Sequence, residues 1–123
     1  MLTQEQKDKL EPLTHHEKFG KLLQEAIKGW EQVNPLREVF GVYWDNGEFK
    51  LDTDDPDIGC CLLGSAMLNK KSDDDYVSNS VRDSFDLNEE ETSGLMSGFD
   101  GDSVLYSDEA YEFGLKINNI LFP

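Results

Sequence analysis

Ile58 to Leu68 reads Ile-Gly-Cys-Cys-Leu-Leu-Gly-Ser-Ala-Met-Leu, the longest mainly apolar run of the chain, and it lies inside the chain's most acidic stretch. A run that is apolar on every side must be covered on every side, so these residues belong at the centre of whatever the chain folds into. Gly59, Gly64, Ser65 and Ala66 are small enough for neighbouring backbones to come close. The pattern predicts a central buried helix. A buried strand is the competing reading, although this run of 11 residues is long for one. It is also far shorter than the ~20 residues that cross a membrane.

Charge sets the second constraint. Of a net charge of −15, −14 falls between Asp45 and Glu109, where 18 Asp and Glu stand against 4 Lys and Arg. Met1 to Trp44 is nearly neutral, with 7 acids and 6 bases. Such a field repels nucleic acids and acidic membranes and attracts basic partners. It does not prevent folding. Leu, Ile, Val and Phe number 32 of 123 residues, above the ~20% below which highly charged chains stay disordered. A chain of this length has room for one domain with one core.

The polar N-terminus has no apolar segment of the signal-peptide kind. The only cysteines, Cys60 and Cys61, are adjacent and poorly placed to pair with each other, which implies free thiols and a reducing, cytoplasmic setting.

Residues 1–13 read as a short N-terminal helical arm, with Thr3 and Gln6 as a capping pair before Pro12, and 14–123 as a single globular domain. Thr14 and Glu17 have the spacing of a second capping box. Phe19, Leu22, Leu23, Ala26, Ile27, Trp30 and Val33 then form an apolar stripe that predicts a four-turn helix ended by Asn34-Pro35. Val39 to Trp44, Asp45-Asn46-Gly47 and Glu48 to Leu51 predict a β-hairpin. Ser72 with Asp73 to Asp75 predicts a helix start, with Tyr76, Val77, Val81 and Phe85 facing inward. Asn88 and Glu91 cap a further helix stopped by Gly98, and Ser107-Asp108-Glu109 opens the last one. The fold class is therefore mainly α, a single small domain of about five helices with one β-hairpin.

Asp73, Asp74, Asp75, Glu89, Glu90, Glu91, Asp108 and Glu109 are all expected in first helical turns, where negative charge stabilises by a few tenths to ~1 kcal/mol each. That ordinary role leaves Asp52, Asp54, Asp55, Asp57, Asp100 and Asp102 without a structural reason, and these become the candidate partner-binding residues. Tyr43 and Trp44, with Phe49, sit on the hairpin. They either pack on the first long helix or form an aromatic patch beside the acids.

Catalytic and metal-binding patterns are weak. A helix N-terminus would activate Cys60 or Cys61, but the acids upstream oppose this, and His15 and His16 lie in another helix. Adjacent cysteines and adjacent histidines splay apart, unlike the separated pairs that hold zinc. Asp52 to Asp57 and Asp100 to Ser103 have carboxylates for a hard cation. From Asp100, however, the fifth and twelfth positions are Val104 and Tyr111, which breaks the twelve-residue calcium-loop pattern. No glycine loop followed by lysine is present to cradle phosphate.

Ala26-Ile27-Lys28-Gly29, Pro35, Phe40 to Tyr43 and Gly59 to Ala66 together resemble small uncharacterised bacterial and phage proteins. Those carry an Ala-Ile-x-x-Gly helix, a proline, an aromatic extended segment and Cys-x-Leu-Gly-Ala-Ala. Asn88 to Glu91 and Gly98-Phe99-Asp100-Gly101 are similar to later pieces of some of them. The resemblance spans about residues 20 to 102 and carries no activity or catalytic residues to transfer. It implies a shared core in which Cys61 (or Cys60), Leu63, Gly64 and Ala66 are structural. The charged insert between Leu51 and Ile58 departs from that pattern.

The expectation is a small acidic, non-enzymatic binding protein without cofactor or metal. It would engage a basic protein partner and neither nucleic acid nor membrane directly. In its sharper form it is a nucleic-acid mimic of the phage-inhibitor type. The alternatives are a thiol-dependent enzyme or redox protein using Cys60 or Cys61, and a structural protein stabilised by divalent cations.

Overall fold

The computed structural model describes residues 2–36, 42–51, 59–102 and 108–123. In chain order these form α1 (Gln4–Leu10), a 3₁₀ turn (Glu11–His15), α2 (Gly20–Trp30), β1 (Asn34–Pro35), β2 (Val42–Asp45), β3 (Glu48–Leu51), β4 (Gly59–Cys60), α3 (Leu62–Met67), α4 (Val77–Phe85), α5 (Glu89–Asp100) and α6 (Asp108–Leu121). The fold is mainly α, as the apolar periodicity predicts, with an antiparallel hairpin β2–β3 and a short parallel pair β1–β4.

The apolar run at the centre divides its work between both predicted forms. Gly59 and Cys60 pair as a strand with Asn34 and Pro35, and the chain then turns into α3, all six residues of which are buried. Cys61 makes the change of structure. It is extended (φ −70°, ψ 176°), and its Sγ accepts a hydrogen bond from the Gly64 N–H at 3.3 Å, in the way a serine caps a helix. Ile58 lies outside the described residues.

Trp30 ties this centre to the rest. It is fully buried, its Nε1 donates to the Cys60 carbonyl at 3.0 Å, and its ring stacks on Phe99 of α5 with centroids 5.9 Å apart. The N-terminal segment is also part of the core, since Leu2, ahead of α1, and Leu10, at its end, are both buried. Its predicted capping box is formed by Thr3 and Gln6.

Helix boundaries differ from the sequence pattern at four places. The first long helix begins at Gly20 rather than Thr14 and ends at Trp30, leaving Asn34-Pro35 to pair as β1. Thr14 Oγ1 donates to the Glu11 carbonyl at 2.6 Å within the 3₁₀ turn, no side chain caps α2 itself, and the His16 imidazole closes the turn that leads into it. Its Nδ1 accepts from the N–H groups of Lys18 and Phe19, both at 3.1 Å. α4 begins at Val77, so Asp73, Asp74 and Asp75 precede its first turn, and Tyr76 is exposed rather than inward. α5 runs through Gly98 to Asp100 and stops at Gly101, whose φ of 78° is the left-handed conformation expected of a C-terminal stop. Glu89, Glu90, Glu91, Asp108 and Glu109 do lie in first turns.

Gly98 is free to stay helical because its task is contact. α5 and α6 form the most extensive helix pair of the fold, and they cross at Gly98 and Gly114. A Cβ on Gly98 would overlap the Tyr111 carbonyl oxygen and lie 2.7 Å from Leu115 N; one on Gly114 would overlap the Leu95 carbonyl oxygen and lie 2.9 Å from Phe99 N. The obstructing atoms are backbone and cannot rotate away. An unobstructed helical Gly→Ala change stabilises by up to ~1 kcal/mol. Gly98→Ala and Gly114→Ala are instead expected to destabilise by about 1–3 kcal/mol each in urea unfolding, whereas Ser93→Ala, at a half-buried position of the same helix, stays within about 0.5 kcal/mol.

Candidate partner-binding surface

The hairpin turn carries the signature its sequence predicts. Asn46 (φ 53°) and Gly47 (φ 84°) both adopt positive φ, which gives the two-residue turn whose twist matches the strands. Register follows as Tyr43↔Lys50 and Trp44↔Phe49. Because side chains alternate across a strand, Val42, Trp44, Phe49 and Leu51 share the inner face, while Tyr43 and Lys50 share the outer one. Tyr43 and Trp44, neighbours in sequence, therefore point to opposite sides. Phe49 is fully buried in the core, and Tyr43 (44% exposed) and Trp44 (38%) are at the surface.

The segment after α3 lies along β3 as a third rung. Asn69 N donates to the Phe49 carbonyl at 2.7 Å, Phe49 N to Lys70 O at 3.0 Å and Ser72 N to Gly47 O at 2.8 Å. Trp44 closes the same junction through Nε1, which donates to Ser72 O at 2.9 Å. Beyond Ser72 the acids take separate roles. Asp74 turns back into the fold, accepting from Tyr76 N at 2.9 Å and from Asn79 Nδ2 at 3.2 Å, while Asp73 and Asp75 are exposed.

Asp100 and Asp102 flank Gly101 at the C-terminal end of α5. Asp102 is held by its backbone: its N–H donates to Ser97 O at 2.9 Å, and its carbonyl accepts from Tyr111 Oη at 2.6 Å. Its side chain is exposed, whereas Asp100 is half-buried. These two acids and the hairpin aromatics thus stand on different elements. Asp52, Asp54, Asp55 and Asp57 lie outside the described residues.

Both cysteines are buried. Burial pushes the Cys61 thiol up to about 12, outweighing the Gly64 and Leu63 backbone N–H groups that favour the thiolate, and the Cys60 and Asp100 charges add to the rise. A thiol in that state is a poor nucleophile at neutral pH. Native-state labelling of Cys61 at pH 7.5 is expected to be slower than that of the unfolded chain by at least about 10²-fold, and fast native labelling would restore a thiol chemistry. Among the described residues no three His, Cys, Asp or Glu side chains converge in a metal-holding group. Nor is any helix described long and apolar enough to cross a membrane.

A junction that sequence reading missed joins the N-terminal segment to α5 and α6. His16 stacks on Phe19, with centroids 4.9 Å apart, and packs beside Phe113 at 5.0 Å; its Nε2 faces Glu109 at 3.2 Å. Lys18 pairs with Glu91, the carboxylate that also completes the Asn88 capping box. Burial pushes the Glu91 carboxyl upward, but the Lys18 hydrogen bond, the Asn88 N–H and the Lys18 charge outweigh it and hold it below the usual carboxylate range. Glu25 behaves alike: burial raises it, and Lys70 and Lys28 more than offset the rise. Only the Asn88/Glu91 half was visible in advance, because the Lys18 partner lies far away in sequence.

A carboxyl held below its unfolded value stabilises the fold at every pH above that value, and the stabilisation is lost as pH falls through the lower, folded value. Glu91→Gln is therefore expected to cost about 1 kcal/mol at pH 7. The gap between variant and parent should close below the ordinary glutamate value of 4.5, measured as urea midpoints against pH. A gap independent of pH would show that the charge is unimportant.

Compared with protein-family models, with curated proteins and with solved structures, the chain matches none.

Proposed function

We propose that this chain is a non-enzymatic binding protein that engages a basic protein partner through its acidic surface. The observation that carries this reading is the distribution of its scarce cations. Lys7, Lys9, Lys18, Lys28, Lys50 and Lys70 are all engaged in ion pairs within the fold. Exposed acids such as Asp73, Asp75, Asp83, Glu89, Glu90 and Asp102 make no ion pair among the described residues. Negative charge left unneutralised inside one molecule is available to a positively charged second one. Its field speeds association and makes binding sensitive to salt.

Asp100 and Asp102, together with Asp52, Asp54, Asp55 and Asp57, are the carboxylates assigned to the partner, and Trp44 supplies apolar contact, while Tyr43 lies on the opposite face of the hairpin. In the sharper form of this reading, those carboxylates stand where nucleic-acid phosphates would stand in the partner's groove, so that binding would be competitive with DNA or RNA. Burial of both cysteines, which raises the Cys61 thiol, favours this class of function over a thiol-dependent enzyme.

The test is retention of a basic partner on the immobilised chain at ~0.15 M salt, its release near ~1 M where the screening length falls to ~3 Å, and its loss when the six carboxylates are replaced by Asn or Ser. Retention by that variant equal to the parent's would overturn the assignment. Addition of duplex DNA should displace the partner if the carboxylates mimic phosphates.

A further inference from the structure

Among the described residues only Tyr43, Trp44 and Tyr76 are large apolar side chains at the surface, and two of them border one short turn. Trp44 Nε1 is anchored on Ser72 O; Ser72 Oγ accepts from Asp74 N at 3.2 Å; Asp74 Oδ1 accepts from Tyr76 N. Ser72 Oγ also lies 2.7 Å from Ser80 Oγ of α4, and Ser80 Oγ donates to Asp74 O at 3.0 Å, so the turn is held from both ends. The consequence is a fixed order of side chains. Asp74 is spent on the turn, Asp73 and Asp75 project to solvent with no partner among the described residues, and Tyr76 stands 68% exposed at the head of α4. Its hydroxyl has no hydrogen-bond partner there either.

We propose that Trp44, Asp73, Asp75 and Tyr76 form a docking surface for an arginine-bearing basic segment of a protein partner. The proposal rests on the reading of the chain as a binder of basic proteins and adds, beside Trp44, a point of contact distinct from the six carboxylates assigned above. Exposed aromatic faces beside free carboxylates complement a guanidinium in two ways at once: it stacks on a ring and donates in parallel to a carboxylate. An ammonium on its flexible stem matches only the charge, so arginine is favoured over lysine. The nearby cations do not neutralise the surface. Arg82 is held by Asn79, Lys50 by Asp45 and Lys70 by Glu25, which leaves Lys71 as the exposed base beside the turn. Tyr43, on the outer face of the hairpin, is not part of this surface.

The probe is an unstructured peptide of alternating arginine and glycine, with its lysine counterpart, titrated into the full chain at low salt. Trp30 is fully buried against Phe99, so a peptide-induced change in tryptophan emission reports Trp44. The expected result is saturable binding with a Trp44 response, tighter for the arginine peptide. Tyr76→Ser should weaken it by about two- to fivefold, and Asp73→Asn with Asp75→Asn by at least about fivefold. Asp83→Asn with Asp86→Asn removes the same charge from α4 and its C-terminal cap and should change affinity by less than about twofold. Urea midpoints equal to the parent's show that each variant is folded.

If the peptide binds but the Asp73/Asp75 and Asp83/Asp86 variants weaken it equally and Tyr76→Ser has no effect, this surface is overturned, and binding by the acidic field as a whole stands. Absence of saturable binding at low salt overturns both the surface and the basic-partner reading.

Discussion

Everything in this fold is arranged around backbones that touch. α5 and α6 cross at Gly98 and Gly114 with no room for a β-carbon on either, and α2 meets α3 in the same way where Gly29 lies against the backbone of Ser65. Such crossings bring peptide groups and short side chains into close packing, which lets the six α-helices among the described residues cover one core. At the α2–α3 crossing the small residue that the contact requires is Gly29; α3 itself mixes small residues with Leu62, Leu63 and Met67, all of them buried. Trp30 closes the same region, its indole joining α2 to β4 and α5.

Electrostatics is arranged second, on top of that packing. A chain with 26 acids and 11 bases has few cations to spend, and it spends several of them joining parts distant in sequence. Lys70 joins the rung beside the hairpin to Glu25 on α2, and Lys18 joins the segment before α2 to Glu91 on α5. Both carboxylates are partly or largely shielded from water, where a pair is worth more than on the open surface, and both are held below their ordinary values. Among the described residues the surface keeps an excess of acids without an ion pair over the exposed Lys21, Lys71 and Lys116, which make none either. Fold and field are therefore coupled. Cations used to close the structure are not available to neutralise the acids left at its surface.

Local patterns were legible wherever the information was local. The Thr3/Gln6 and Asn88/Glu91 capping boxes, the Asn46-Gly47 turn and the apolar stripe from Leu22 to Trp30 appear where their spacing puts them. Misreadings arose where a tertiary contact competed with a good local signal. Thr14 and Glu17 have capping spacing, but His16 closes the turn before α2: its ring clusters with Phe19 and Phe113 and offers Nδ1 to two N–H groups. Gly98 has the look of a stop, but α6 needs it as a crossing point. Asp73 to Asp75 look like a helix start, but the Ser72–Ser80 contact and the Trp44 anchor hold the chain in a turn until Tyr76. The same competition moved the candidate surface: Tyr76 was expected inside, and Trp44 and Tyr43 were expected together.

By itself the sequence determined the fold class, the positions of most helices, the hairpin and its turn, the burial of the central apolar run, and a net charge of −15. Each of these depends on residue type and short-range spacing, which a chain carries before it folds. Tertiary structure alone decided how the central run divides between strand and helix and which glycines mark crossings rather than ends. It also decided which acids are consumed by lysines and which aromatic side chains stay outside. Those outcomes depend on which atoms meet across tens of residues, and neither periodicity nor composition encodes such distances.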